Sequence, residues 1–138
     1  MDGILSYLSL LLVGAGGWVA THLIGKPFLA CLDLRTEITR CLVLYANIPC
    51  SITPKVAPPP RTIEARNKYR ELASQLIAIG NTIPFYQVWS LIGMIPKWSE
   101  LQEAKGNLIG LSNSIGEPNQ SLEISRREEN VRRLLRIR

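Results

Sequence analysis

Residues 3–25 of the chain read GILSYLSLLLVGAGGWVATHLIG, a run that contains no charged residue. As an α-helix this run is about 34 Å long at about 1.5 Å per residue, which is enough to cross a hydrocarbon core of about 30 Å. The chain starts Met1-Asp2, without the basic residues of a signal peptide, and the run is longer than a signal-peptide core. The run therefore predicts an uncleaved transmembrane helix at 3–25.

The charges next to this run predict its orientation. Lys26, Arg35 and Arg40 follow the run, whereas only the amino terminus and Asp2 precede it. Because Lys and Arg flanks stay on the cytoplasmic side, we expect the N-terminus outside and the C-terminal domain in the cytoplasm. This pattern is typical of a single-pass protein of the bacterial inner membrane.

Small side chains gather on one side of the run when it is placed on a helical wheel at about 100° per residue. In lipid, such a side lets two helix backbones approach closely. The pattern predicts helix–helix packing, and hence a homo-oligomer, through Ser6, Ser9, Val13, Gly16, Gly17 and Ala20.

The rest of the chain predicts an all-α protein. Apolar residues at helical spacing over 26–47, from Leu34 to Tyr45, predict a stalk helix that continues the membrane helix. The many prolines in 48–61 predict a linker with polyproline II character, for which a role as a peptide ligand is a minor alternative. Helix starts at Thr62, Thr82 and Ser99 predict a small helical cytoplasmic domain over 62–116.

Two segments fit more than one structure. No charge occurs from Leu72 to Pro96, so this segment fits two packed helices, an interfacial hairpin or a second span. Residues 117–138 form a basic amphipathic tail, which fits either a solvated surface helix or a helix on the cytoplasmic leaflet. The second alternative assigns lipid-facing roles to Lys26, Arg132, Arg133 and Arg136.

Few residues of the chain carry chemistry. The single histidine, His22, lies at the edge of the charge-free run, and the spacing of Cys31, Cys41 and Cys50 does not match a zinc site. The cysteines are interpreted as small apolar residues of a core. There is no phosphate-binding loop and no nucleic-acid motif, and a net charge of +5 fits anionic lipid more simply than nucleic acid. We expect no enzymatic activity, cofactor or metal, and membrane lipid as a partner.

Several short motifs resemble those of a family of small, uncharacterised bacterial single-span membrane proteins. The span ends in Gly25-Lys26-Pro27-Phe28, and the sequence LRTEI follows at 34–38. Ala46-Asn47, RELASQL at 70–76 and GLSNS at 110–114 complete the resemblance. These are packing motifs, so the resemblance implies a helical membrane protein without supplying an activity.

The predicted layout is also similar to that of membrane-pore accessory proteins of antiphage systems, including type VI-B CRISPR systems. Those proteins combine one N-terminal span with a helical cytoplasmic domain and assemble as rings. We therefore expect a non-enzymatic, self-associating single-span membrane protein, with a pore-type or membrane-perturbing defence effector as one hypothesis. The alternative is an accessory or assembly subunit of a larger membrane or defence complex.

Overall fold

The computed structural model describes residues 2–48 and 58–137, with the backbone alone at 2–6, 8, 23 and 24. Both described ranges contain helices and no β-strand, which confirms the predicted all-α class. Cys50 and most of the predicted proline-rich linker lie outside the described residues. The elements are α1 (Asp2–Val19), a π-helical segment (Ala20–Gly25), α2 (Lys26–Leu44), α3 (Pro60–Thr82), α4 (Tyr86–Leu91), α5 (Trp98–Ser114) and α6 (Ser121–Leu134).

The charge-free run of residues 3–25 is not one regular α-helix. α1 ends at Val19 and the π-helical segment takes over, although the backbone stays in the right-handed helical region through to α2. The hydroxyl of Thr21 donates to the Gly17 carbonyl oxygen at 2.8 Å, and His22 Nδ1 lies 3.1 Å from the Trp18 carbonyl oxygen. Side chains that compete for carbonyls one turn back disturb the α-helical ladder, which fits a wider turn here.

The prediction of a transmembrane helix at 3–25 needs correction. Across the described residues, none of the helices combines the length and the apolar character needed to cross a membrane. The prediction rested on the absence of charge, whereas the α-helical part is shorter than the run and contains Gly, Ser, Tyr and Trp as well as Leu. The single-pass topology and the inner-membrane location, with the N-terminus outside and the C-terminal domain in the cytoplasm, are therefore wrong.

Four helices form a bundle around one main core. α3 packs against α2 and α5, and α5 packs against α6. In α2 the predicted apolar stripe is confirmed, since Leu34, Ile38, Cys41, Leu42 and Tyr45 are all buried. The other helices contribute apolar residues at the same helical spacing, which gives each of them one core-facing side. These residues are Ala65, Tyr69, Leu72, Ala73, Leu76, Leu101, Ala104, Leu108, Leu111, Val131, Leu134 and Leu135.

Several helix ends differ from the predicted ones. α3 begins at Pro60, so that Thr62 is a buried residue of the first turn instead of its cap. α3 also runs through Gly80, which is buried beneath the ring of Trp98. α5 begins one residue before Ser99, and its start is a capping box in which Glu100 accepts a hydrogen bond from the Lys97 amide at 2.7 Å.

The C-terminal segment is an integral part of the bundle. α6 buries Val131, Leu134 and Leu135 in the main core, which leaves its polar face to solvent. It approaches α5 at Gly110, where the guanidinium of Arg127 occupies the space of a side chain. Gly110 thus serves the packing of α6 on α5, whereas a Cβ atom added to Gly106 would meet no described atom within 4 Å.

Candidate interaction surfaces

The first candidate surface is α1, which we call the arm. Among the described residues, its only extensive contacts are with the π-helical segment that follows it in the chain. Tyr7 is 79% exposed and Leu10 is 76% exposed, values that are unusual for large apolar side chains. The arm's other exposed large apolar residues are Leu11, Leu12, Val13, Trp18 and Val19. The arm therefore offers an apolar surface that no other described part of the chain covers.

The predicted small-residue strip lies on the arm and continues into the π-helical segment. Ser9, Val13, Gly16, Gly17 and Ala20 are exposed, and the side chain of Ser6 is among those not described. A Cβ atom added to Gly16 or Gly17 would meet no described atom of the same chain within 4 Å. The strip is thus open to a close approach by another helix, and the prediction that it packs there stays a prediction.

A second apolar surface lies on the short helix α4 and the turn after it. We call it the α4 patch and define it by five exposed apolar residues, Phe85, Val88, Leu91, Ile92 and Met94. Leu91 is 87% exposed and Phe85 is 76% exposed. Phe85 precedes α4 in a left-handed backbone conformation, with φ of 54°, which is uncommon for a residue other than Gly, Asn or Asp. A strained backbone that holds an aromatic ring in solvent is typical of a contact site.

The α4 patch lies at the end of the bundle from which the arm leaves. A small second core joins the two regions: Cys31 of α2 packs with Ile83 and Ile95, on either side of α4. Phe28, Tyr86 and Trp89 pack against this cluster. Both exposed apolar surfaces therefore belong to the same end of the molecule.

An aromatic groove runs beside the α4 patch. It consists of two adjoining hollows, of about 400 Å³ and about 330 Å³, that share Tyr86, Gln87 and Trp98. The rings of Tyr86 and Trp98 meet edge to face, with centroids 5.8 Å apart. The remaining lining residues are Gly80, Asn81, Ile83, Ser90, Leu91 and Lys97.

Hydrogen bonds fix one ring of the groove. The hydroxyl of Tyr86 donates to the Pro96 carbonyl oxygen at 2.7 Å, and burial raises the pKa of this hydroxyl to about 12, so it stays protonated at neutral pH. The indole N–H of Trp89 donates to the Pro84 carbonyl oxygen at 3.1 Å, which holds the start of α4. The groove is therefore formed by the fold itself and does not require a ligand to assemble.

The basic residues predicted to face lipid have different surroundings. Lys26 and Arg133 are exposed and Arg132 is half-buried. Arg136 donates to the Gly93 carbonyl oxygen at 2.7 Å, which ties the chain after α6 to the turn after α4. Arg136 is thus already engaged within the protein, and lipid contact by these residues stays a prediction.

Glu37 forms an ion pair that joins α2 to α3. Glu37 of α2 accepts a hydrogen bond from Arg40 at 3.0 Å and lies 3.4 Å from Lys68 of α3, which itself lies 3.2 Å from Glu71. The hydrogen bond from Arg40 lowers the pKa of the Glu37 carboxyl. At the other end of α2, the hydroxyl of Tyr45 donates to Glu64 at 3.1 Å. These contacts hold α2 on α3 and leave Glu37 ionised.

The two described cysteines are buried free thiols. Burial raises the pKa of both Cys31 and Cys41, so each thiol stays protonated and is a poor nucleophile. Their predicted role as small core residues is confirmed, since Cys31 and Cys41 are 7% and 1% exposed. Within 2–48 and 58–137, no three residues of the types His, Cys, Asp and Glu gather as a metal site would require.

Sequence reasoning missed the α4 patch and the aromatic groove. The charge-free segment 72–96 marked the region, but Phe85, Tyr86 and Trp89 suited a core and an interface equally. The usable signal was that α4 is apolar on both sides: Tyr86 and Trp89 on one, and Val88, Leu91 and Ile92 on the other. A helix that is apolar all round needs neighbours on more than one side.

The motif resemblance over Gly25–Phe28 and the architectural one to antiphage accessory proteins both stay predictions. Comparisons of the chain with protein families, with curated proteins and with solved structures found no match.

Proposed function

We propose that the chain is a non-enzymatic, self-associating helical protein whose arm packs against the arms of further copies. The observation that carries this proposal is the exposure of the arm's large apolar side chains, from Tyr7 to Val19, on a helix that touches no bundle helix extensively. A helix apolar on all sides is stable in water only when other helices cover it. A second copy offers an apolar helix of equal length.

The distribution of residues on the arm favours more than two copies. The small-residue strip around Gly16 occupies one side, and Leu11 and Trp18 lie on the other. A contact between two arms covers one side of each and leaves the other side in water. Three or more arms cover both sides, because each helix of such a bundle has two neighbours. The arm, about 27 Å long at about 1.5 Å per residue, also reaches an interface of about 800 Å² per copy more readily with two neighbours.

The glycines fit this packing. Close contact between two helices requires small residues where the backbones cross. Gly16 and Ala20 are one helical turn apart, and the space around Gly16 is open in the single chain. A neighbouring helix can therefore approach at Gly16 without a rearrangement of the arm.

A second candidate function is supported by a different observation. The α4 patch lies on the bundle, and association through the arm does not by itself cover Phe85 or Leu91, which are both largely exposed. An accessory or assembly subunit of a larger complex would use this patch for a protein partner of another kind. Membrane insertion and pore formation are part of neither candidate.

The mass of the purified full-length chain tests the proposal. One chain has a mass of 15.4 kDa. We expect sedimentation equilibrium to show a single species of three or more copies that persists on dilution to low micromolar concentration. A monomer at about 100 µM contradicts self-association through the arm, and it favours the accessory-subunit candidate if the same sample binds a partner through the α4 patch.

A further inference from the structure

The aromatic groove has hydrogen-bond donors that the described chain does not use. The indole N–H of Trp98 makes no hydrogen bond within the described residues, and the side-chain amides of Asn81 and Gln87 make none either. Trp98 is 40% exposed, so part of its side chain is accessible. Unused donors beside exposed aromatic rings are suited to a ligand that supplies carbonyl oxygens and small apolar rings.

A proline-rich segment in polyproline II conformation supplies both. Its backbone carbonyls point outward without an internal partner, its proline rings pack flat on aromatic side chains, and it has little conformational entropy to lose. Proline has no backbone N–H, so the prolines of such a segment offer acceptors without donors, which suits the unused N–H groups of the groove. Among the described lining residues Lys97 alone is charged, so the groove carries no acidic side chain that would favour a basic ligand.

The chain itself carries a segment of this kind. Residues 56–60 read VAPPP and are uncharged. Pro58, Pro59 and Pro60 are exposed, and Pro59 has φ of −53° and ψ of 146°, close to the polyproline II values of about −75° and about 145°. Pro58 and Pro59 are thus presented to solvent, and Pro59 has the conformation that the groove would bind.

The segment and the groove of one chain cannot meet. Pro60 is the first residue of α3 and Gly80 lies in its last turn, so a continuous helix of about 30 Å separates them at about 1.5 Å per residue. The occupant must therefore come from another molecule, and a second copy presents the segment at the opposite end of its α3.

We propose that the aromatic groove between Tyr86 and Trp98 binds residues 56–60 of a second copy of the chain. Trp98 and Tyr86 contact the proline rings, and the N–H groups of Trp98 and Gln87 donate to the segment's carbonyl oxygens. The contact is head to tail, because groove and segment lie at opposite ends of α3. Such a contact leads from one copy to the next and forms either a closed ring or an open chain. It uses a different surface from the arm and goes beyond self-association through the arm.

A peptide titration tests the groove. The probe is the peptide TPKVAPPPRT, which is the sequence of residues 53–62, added to the full-length protein labelled with ¹⁵N. The indole resonance of Trp98 is identified by its loss in Trp98→Phe. We expect this resonance to shift with added peptide, and a matched peptide with alanine in place of the three consecutive prolines to cause no shift. No shift at millimolar peptide, or equal shifts with both peptides, overturns the proposal.

Two variants separate binding from folding. Trp98→Ala should weaken peptide binding at least about 30-fold, as expected for a tryptophan at the centre of a contact. Trp98 also packs over Gly80, so Trp98→Ala can disturb the fold as well as the groove. The second variant is therefore Gln87→Ala. The side chain of Gln87 is exposed and is not part of the core, so this variant should keep the fold and weaken peptide binding. Unchanged affinity in Gln87→Ala together with unchanged affinity in folded Trp98→Ala overturns the proposal.

The identity of the occupant is tested in the full-length chain. The Trp98 indole resonance should move with protein concentration in the unchanged chain, and much less in Pro58→Ala/Pro59→Ala, which keeps the arm. The peptide could bind while the proline substitutions leave the concentration dependence of the Trp98 resonance unchanged. That result overturns the assignment to a second copy and points to a proline-rich segment of another protein. Gly16→Leu, which is designed to disturb the arm, should bind the peptide normally, so that failure of the groove and failure of the arm are distinguishable.

Discussion

The indole ring of Trp98 lies directly over Gly80, so that a Cβ atom on Gly80 would be 2.7 Å from Cζ3 of the ring. The two residues belong to different helices: Gly80 lies in the last turn of α3, and Trp98 is the first residue of α5. The absence of a side chain at position 80 thus determines where one wall of the aromatic groove stands. Any side chain at this position must move the wall.

We expect Gly80→Ala to displace the Trp98 ring with little change in the free energy of unfolding. Alanine in place of a helical glycine contributes about 1 kcal/mol, and the forced movement of the ring costs about 1–3 kcal/mol. The ring is partly exposed and can move outward, so the two effects largely cancel. Acrylamide quenching of Trp98 fluorescence, taken as the difference from the matching Trp98→Phe protein, should increase. Equal quenching of Trp98 in the unchanged chain and in Gly80→Ala would show that the ring has not moved.

The pattern of buried residues in the bundle was readable from the sequence. In α2 the spacing of Leu34, Ile38 and Cys41 identified the core-facing side, because burial on one side of a helix leaves a period that local sequence alone displays. In α6 the same reasoning found the apolar side of Val131 and Leu134 but left open what it faces. The answer depends on α5, which is distant in sequence and presents Gly110 to Arg127.

The helix ends and the groove were not readable in the same way. Gly80 has the features of a C-cap, yet the helix continues through it because Trp98 needs the space above it. The apolar run at 3–25 had the length of a membrane span, but length and absence of charge do not report the helical form, which changes after Val19. The end of α3 depends on contacts between segments, and the change of helical form depends on competition for backbone carbonyls near Thr21. The spacing of apolar residues in the sequence indicates neither.

The arm's glycines allow a matched pair of substitutions. Gly16→Leu places a large side chain on the small-residue strip, whereas Gly14→Leu places the same side chain among Leu10, Leu11 and Trp18, which already hold neighbouring backbones apart. In a single chain, a Cβ atom at Gly14 or Gly16 meets nothing within 4 Å, so both variants should fold equally well. We expect Gly16→Leu to raise the dissociation constant of the oligomer at least about tenfold, the equivalent of about 1.4 kcal/mol, and Gly14→Leu to leave it nearly unchanged. Sedimentation equilibrium measures both, and equal behaviour of the two variants would show that the strip is not the contact.

Glu128 is expected to make stability depend on pH. Burial raises the pKa of its carboxyl in the folded protein, against a smaller opposite effect of Arg132. The folded state therefore holds this proton more tightly than the unfolded state, and the ionised carboxylate destabilises the fold above the folded-state pKa. This penalty disappears as the pH falls below the pKa of the unfolded chain.

Glu128→Gln removes the ionisable group and should isolate its effect. At pH 7 we expect the variant to have a higher Tm than the unchanged chain, by at most about 3 °C because solvent screens a half-exposed group. The difference should shrink towards pH 4. Thermal unfolding followed by circular dichroism at both pH values provides the measurement. A variant less stable than the unchanged chain at pH 7 would mean that the attraction between Glu128 and Arg132 outweighs burial.

Two further glycines should respond to alanine with opposite signs. Gly106 lies inside α5 in open space, so Gly106→Ala should raise the free energy of unfolding by about 0.5–1 kcal/mol through helix propensity.

Gly116 has φ of +81°, and a Cβ atom there would be 2.6 Å from Cγ2 of the buried Thr62. Gly116→Ala should therefore lower the free energy of unfolding by about 1–3 kcal/mol. Urea unfolding of the two variants measures both changes, and Gly116→Ala/Thr62→Ser, which removes the methyl group that is struck, should recover part of the loss. If the loss is the same with Thr62→Ser, backbone strain at Gly116 accounts for all of it.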